Sequence, residues 1–349
     1  MKKIISVLIV SLLVTGCMAP KTRQIKIDQD YVKQERAKQQ QLALKYLTDM
    51  QIRLNENAYP LLKSATGFCE DDQGPALGLL TASEFSYNKD FRETARELLD
   101  LDNQLEIMHV ISNSPAAKAG LKKNDRILAI NGTTIPASEK GKSVFSDALK
   151  KHGFNTSRLK LKRNGEMLTV SVTPDKQCNY QIELSESDTV NAYANGSKVT
   201  VTKGMMKFAT TTKELSLVVS HEIAHNVMGH ITSKTLNSLG GTLLDIATAV
   251  ATGVSTQGTF AKIGASMYSQ EFEAEADYVG LYIMARAGQD TEDAEFFWRR
   301  MAVEHPSSIS SNHTSSHPAT PERFVSIEKT VHQINEKKTA GQALMPDMK

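Results

Sequence analysis

The chain has 349 residues, with 41 Lys and Arg against 39 Asp and Glu and a formal net charge of +2. A balance this even argues against nucleic acid as a partner, because phosphate binding needs a concentrated excess of basic side chains. The length points to two domains rather than one.

The amino terminus reads as an export signal over residues 1–16. Lys2 and Lys3 precede an apolar stretch, Ile4 to Val14, that is too short to span a bilayer. Val14-Thr15-Gly16-Cys17 resembles a bacterial lipobox, which implies cleavage before Cys17 and lipid on its sulfur and amino group. Removing residues 1–16 takes away Lys2 and Lys3 and leaves 39 charges of each sign. Met18 follows the cysteine; by resemblance to Gram-negative lipoproteins that favours the outer membrane, with the protein facing the periplasm and residues 17–27 as its tether.

Residues 28–57 are rich in Gln, Lys and Ala, with Leu42, Tyr46, Met50 and Leu54 at helical spacing, so they read as a helix that Tyr59-Pro60 ends. The segment 28–68 is expected to pack on the domain that follows the insertion. Two cysteines remain besides Cys17, namely Cys69 and Cys178. In an oxidising periplasm they have one possible pairing, and a disulfide between them would bracket the segment 69–176; a pair of buried thiols is the alternative.

From Ala76 to Pro174 the texture changes to short strands and turns. Ser114-Pro115 opens a short helix, Gly120 stops it, Ile127 to Ile130 is a buried strand and Asn131-Gly132 a tight turn. These features, with Leu105 to Ile111, Ser143 to Lys151 as a flanking helix and Arg158 to Thr173 as a closing hairpin, look like a bacterial PDZ domain. The resemblance implies a groove for C-terminal tails, with Ala76 to Leu80, and Leu77, Gly78 and Leu79 within it, as the carboxylate loop; a PDZ that only spaces or shields is the other reading. Asn88 to Asp102 reads as an extra helix. The basic run Lys150, Lys151, Arg158, Lys160, Lys162 and Arg163 reads as a solvated surface.

Beyond Cys178, Lys198 to Thr202 alternates as a strand, and Thr211 with Glu214 forms a capping box. The helix it starts carries His221-Glu222-Ile-Ala-His225 inside the apolar run Leu215 to Ile231. Residues four apart share a helix face, so both imidazoles aim at one spot with Glu222 beside them, the pattern of a zinc site with a general base. A catalytic zinc takes three protein ligands and keeps one position for water. The third is assigned to Glu273. Within Gln270 to Gly280, Glu273 and Asp277 share a face with the small or apolar Ala276, Gly280 and Met284, whereas Glu275 lies with Tyr278, Tyr282 and Arg286. Asp277 would then hold the free ring N–H of His221 or of His225. His230, about 180° from His221 on a continued helix, is expected to be packed or solvated.

Asn191-Ala-Tyr-Ala194, Val201-Thr-Lys-Gly204, His221 to His225, Glu273-Ala-Glu-Ala-Asp277 and Ser316-His317-Pro-Ala-Thr-Pro-Glu-Arg323 together resemble the HtpX-like gluzincin metallopeptidases, over roughly residues 180 to 330. The resemblance implies an α+β chain: a mainly helical gluzincin-type domain with a small sheet over 177–335, an inserted mainly-β PDZ domain, and a flexible tail over 336–349. It brings His317 and Arg323 near the site as oxyanion donors, or His317 as a latch on the open metal position. Val199 to Thr202, through Val199 and Val201, would be the backbone template for substrate. Leu243 to Val254 is short, contains Asp245, and is expected to lie over the cleft; Ser307 to Ser316 is expected to act as a lid. The activity implied is a zinc endopeptidase, one Zn2+ per chain, acting on misfolded or misassembled envelope proteins whose tails the PDZ selects. The competing reading is a PDZ adaptor or chaperone whose zinc is structural or latent. A peptidoglycan amidase also uses zinc, but the helical His-Glu-x-x-His pattern argues against it.

Overall fold

The computed structural model describes residues 22, 25–69, 71–233, 236, 242, 269–304 and 320–347. Residues 1–16, Cys17, the stretch 243–254, the loop 307–316 and His317 lie outside them.

The first helix, α1 (Gln29–Ser64), starts at Asp28, whose side chain accepts from the Asp30 amide at 2.8 Å, and runs for 36 residues, about 54 Å. Tyr59-Pro60 does not end it. The helix continues because Leu61 and Leu62 enter the core. Burying each contributes about 1.5–3 kcal/mol, which together meets or exceeds the roughly 3 kcal/mol cost of an interior proline.

After α1 the chain leaves for an inserted module through a two-stranded stem. β1 (Gln73–Ala76) pairs antiparallel with β8 (Asp175–Cys178), and Cys69 and Cys178 are joined by a disulfide at the same neck. The module between them holds β2 (Leu79–Ala82), α2 (Arg92–Leu99), β3 (Glu106–Val110), α3 (Pro115–Lys118), β4 (Arg126–Ile130), β5 (Thr133–Thr134), α4 (Gly141–His152), β6 (Ser157–Arg163) and β7 (Glu166–Val172). Its strands lie in the order β2-β3-β4-β6-β7, so β2 is an open edge. In β6 the alternation is plain: Leu159 and Leu161 enter the core while Arg158, Lys160 and Lys162 face water.

The second unit contains β9 (Gln181–Ser185), β10 (Ala192–Ala194), β11 (Lys198–Thr202), α5 (Lys203–Phe208), α6 (Thr212–Val227), α7 (Ser269–Arg286), α8 (Ala294–Glu304) and α9 (Pro321–Thr339). The layout is the expected α+β, with one core shared by α1, α6, α7 and α9. Its sheet runs β10-β11-β9, antiparallel then parallel. The strand assigned to substrate, Val199 to Thr202, is therefore the central one. Val199 and Val201 are fully buried and both neighbouring edges are paired, so β11 has no backbone edge to offer. The open edge beside α6 is β10.

The segment 336–349 is not a loose tail over the residues described. Helix α9 reaches Thr339, and the chain then folds back on it: Gln342 donates to the Lys337 carbonyl, and Lys337 Nζ donates to the Met345 carbonyl and to Asp347, both at 2.7 Å. A lysine in the last turn of a helix, where carbonyls lack partners, gathers such acceptors. Among the described residues, no helix is long and apolar enough to cross a membrane.

Candidate metal centre

Helix α6 begins where Thr211 and Glu214 cap each other, amide to side chain at 3.2 Å in both directions. Arg300 of α8 pairs with Glu214 at 2.7 Å and ties that end to the next layer. Helix α7 crosses very near α6 because Gly280 has no side chain; a Cβ there would stand 3.1 to 3.2 Å from the backbone of Ser220 and His221. That approach, with the small Ala276, brings the acidic face of α7 onto the two imidazoles.

His221 Nε2 and His225 Nε2 are 3.1 Å apart, and the Glu273 carboxylate stands 3.3 Å from each. All three side chains are buried, and their ligand atoms form the group among the described residues that could hold a metal ion. Asp277 answers the question of which histidine it supports: its Oδ1 accepts from His221 Nδ1 at 2.9 Å. With its proton on Nδ1, His221 turns a lone pair toward the Glu273 carboxylate and the other ring. Three lone-pair donors so crowded in a dry site repel one another unless a cation lies between them, so this donor set fits a divalent ion.

With no cation between the donors, burial alone would lower the His221 pKa, but its bonds to Asp277 and Glu273 outweigh this and raise it to about 9, so that a proton on Nε2 stands where the ion would and is released when a metal binds. His225, which burial dominates, is pushed down to about 4. Burial would likewise raise Asp277, yet the Arg323 charge and the His221 bond hold it below the usual carboxylate range. Arg323 explains much of this balance. From the first turn of α9, its Nε donates to Asp277 Oδ2 at 2.6 Å and an Nη to Oδ1 at 2.9 Å, with a second Nη 3.6 Å from Glu273. The residue expected as an oxyanion donor thus has its guanidinium engaged with the carboxylates that support His221, where it positions rather than reacts. His317, the other candidate donor, lies outside the described residues. Glu222 is buried on α6, and its charge reaches both His225 and Arg323.

Two contributors escaped the sequence reading. Trp298, the one tryptophan of the chain, packs between the site's halves, 5.1 Å from the His221 ring and 5.1 Å from the Arg323 guanidinium. Nothing in its local pattern marks it. His230 is packed, as one of the two expected outcomes, and stands outside the metal-ligand group, but it has a role that was not foreseen: its Nδ1 lies 2.8 Å from His225 Nδ1 and its Nε2 2.8 Å from Glu275 Oε2, and its ring stacks on Phe272 at 4.6 Å. The extrapolation of 180° failed because α6 stops at Val227. Gly229, at φ +66°, then swings the chain back toward the site. A glycine one residue before a histidine was the available signal. The pairing has one consistent proton order: His225 donates from Nδ1, His230 accepts there and donates from Nε2 to Glu275.

Next to the ligand, Asn226 accepts from the Gly196 amide at 2.7 Å and donates to the Lys198 carbonyl at 3.2 Å, pinning the β10–β11 hairpin to α6. In the inserted module, Leu77, Gly78 and Leu79 line a cavity of about 260 Å³ together with Phe145 and Leu149 of α4.

The profile of peptidase family M48 matches residues 157–331 and that of the PDZ domain residues 90–173. Where the two overlap, the structure assigns β6 and β7 to the sheet of the inserted module. The chain is similar to the mitochondrial metalloendopeptidase OMA1 of Homo sapiens, 29% identical over 175 residues, which are 45% of this chain and 33% of that one. It is 26% identical over 174 residues to the mitochondrial metalloendopeptidase OMA1 of Schizosaccharomyces pombe, 48% of this chain and 52% of the relative. It is 36% identical over 86 residues to the serine protease HTRA1 of Xenopus tropicalis, 25% of this chain and 18% of the relative. The chain thus spans between a third and about half of the length of the metalloendopeptidases it matches.

Proposed function

The chain belongs to peptidase family M48 and carries a PDZ domain, and from that premise we propose that it is a zinc-dependent endopeptidase of the bacterial envelope. The observation that carries the reading is the convergence of His221, His225 and Glu273 within 3.3 Å of one another, with Glu222 one residue from a ligand on the same helix. Zinc held by these residues would supply Lewis acidity, acidifying a water and polarising the scissile carbonyl. Glu222 would serve as general base toward the attacking water as its oxygen bonds the carbonyl carbon, and would return the proton to the nitrogen as the C–N bond breaks. Asp277 fixes the His221 tautomer and Arg323 fixes Asp277; His230 and Glu275 do the same for His225.

The substrate segment lies extended along β10. Thr202 donates to the Asn191 carbonyl and Asn195 to the Lys198 carbonyl, so Asn191, Tyr193 and Asn195 face β11, and the Ala192 and Ala194 backbone groups point outward. We read the substrates as misfolded or misassembled envelope proteins. The lipobox at Cys17 and a disulfide between Cys69 and Cys178 both suit an exported, periplasm-facing lipoprotein, probed by metabolic labelling with a lipid precursor in wild type and Cys17→Ser.

The test is casein turnover by wild type and by Glu222→Gln, with zinc content measured in both. The expected result is a loss of 100-fold or more in the variant at unchanged zinc content, in line with the roughly 10²–10⁴-fold contribution of general acid–base catalysis. Equal turnover by both proteins overturns the peptidase reading, and none by either favours the adaptor.

A further inference from the structure

The open edge of the PDZ sheet does not face solvent alone. One cavity of about 540 Å³ is walled by β2 on one side and, on the other, by α1 and by β9 of the metallopeptidase unit, with Gln51, Asn55, Ile182 and Leu184 among its lining residues. The smaller cavity at the Leu77–Leu79 loop shares Asn55, Leu79, Leu80 and Ile182 with it, so the two form one cleft. Both β2 and β9 are edge strands, each paired on one side only. The last third of helix α1 is held against the inserted module and its stem. Glu56 bonds His109 at 2.5 Å and accepts from the Ser112 amide at 3.1 Å, while Tyr59 and Lys63 reach Asp175 at 3.0 and 2.8 Å.

At the closed end, no acceptor among the described residues takes a hydrogen bond from the Leu77 or Gly78 amide. Two adjacent unused amides beside an apolar pocket suit a terminal carboxylate with an apolar last side chain. The chain's own residues 342–347 do not supply it, since Lys337 and Tyr278 engage them.

We propose that this cleft is a composite site. It takes the C-terminus of another polypeptide as a strand added to β2, with α1 and β9 of the metallopeptidase unit as its second wall. The proposal rests on reading the PDZ groove as a tail-binding site. In an added strand successive side chains alternate. The last residue and the second before it face Phe145 and Leu149 of α4; the penultimate residue and the third before the last face α1 and β9. Those two positions, which a groove open to water would leave unread, are read here by Asn55, Ile182 and Leu184. Ile182 and Leu184 favour apolar side chains there, and Glu183 and Glu186 of the same lining oppose acidic ones.

The experiment uses the full chain and fluorescein-labelled decapeptides with Val, Leu or Phe at a free C-terminus and randomised preceding residues, followed by anisotropy. The tightest peptide is remade as its C-terminal amide and with Glu at the penultimate position and at the third before the last. Amidation is expected to weaken binding at least tenfold, and the Glu substitutions at least fivefold. Asn55→Arg and Gln51→Arg, each on the half-buried surface of α1 and outside the PDZ domain, are expected to weaken the free-acid peptide at least tenfold while zinc content and circular dichroism stay at wild-type values. If no peptide binds wild type, or if the amide binds equally well, the tail-binding reading falls and takes the composite site with it. If binding needs the free carboxylate but both arginine variants remain within twofold of wild type, the groove binds tails and the composite site is overturned.

Discussion

Asp277→Asn tests how the metal ligands are held, because one carboxylate serves two partners. It accepts the His221 Nδ1 proton at 2.9 Å and two Arg323 nitrogens at 2.6 and 2.9 Å. The amide keeps one carbonyl oxygen and loses the charge, so Arg323, 5% exposed, is left without its main counterion. The guanidinium then turns to Glu273, already 3.6 Å away, and competes with the metal for that ligand. Loss of a group supporting a metal ligand costs about 10- to 100-fold in affinity, or about 1.4–2.7 kcal/mol. The redirected cation places Asp277→Asn at the upper end of that range. Zinc is titrated against a chelator of matched affinity and read from Trp298 fluorescence, the single indole lying 5.1 Å from His221. Removing the stranded cation as well, in Asp277→Asn with Arg323→Leu, should recover at least threefold in affinity, a coupling of about 0.7 kcal/mol, within the range seen for residues in contact. Zinc affinity of Asp277→Asn within twofold of wild type would refute the supporting role. A double variant no tighter than the single one would refute the redirected cation.

The other side of the site gives a graded pair. His230→Ala should weaken zinc by about tenfold, and Glu275→Gln by less because Glu275 is half exposed; identical titration curves for His230→Ala and wild type would remove the relay from the site. Ala194→Pro deletes an outward N–H on an edge strand, where proline is tolerated, so kcat/KM on casein should fall at least tenfold with zinc affinity and Tm retained; unchanged kcat/KM would mean that substrate does not pair with β10. Cys69 and Cys178 are separated by 109 positions, and opening such a loop removes up to about 4–5 kcal/mol in the chain-entropy account. Reductant should therefore lower Tm in wild type and leave Cys69→Ser with Cys178→Ser unaffected, whereas ready alkylation of both cysteines under denaturing, non-reducing conditions would contradict the bond.

The legible parts of this protein were those set within a few residues. The basic run through Arg158, Lys160 and Lys162 marked a solvated strand surface, and the small residues Ala276 and Gly280 marked the side of α7 that approaches α6. The misreadings came where a local rule met a competing contact. Pro60 should stop a helix, but Leu61 and Leu62 are taken up by a core built from distant segments. The alternating Val199 to Thr202 was recognised as a strand, yet nothing in its own residues says whether neighbours will pair on both sides. Arg323 was placed near the site correctly and given the wrong partner, because its bond spans 46 positions to Asp277.

The shared face of His221, Glu222 and His225 and the Thr211–Glu214 cap follow from local residue order, since 3.6 residues per turn and the unpaired amides of a helix start are properties of one segment. The packing of distant segments settled that Asp277 supports His221 and that His230 supports His225. It also decided that β10 rather than β11 keeps an open edge, and that α1 and β9 stand across the PDZ groove. Each of these is a pairing between segments far apart in the chain. It is set by which buried donors and acceptors must find partners once apolar surfaces have packed, and that condition is global.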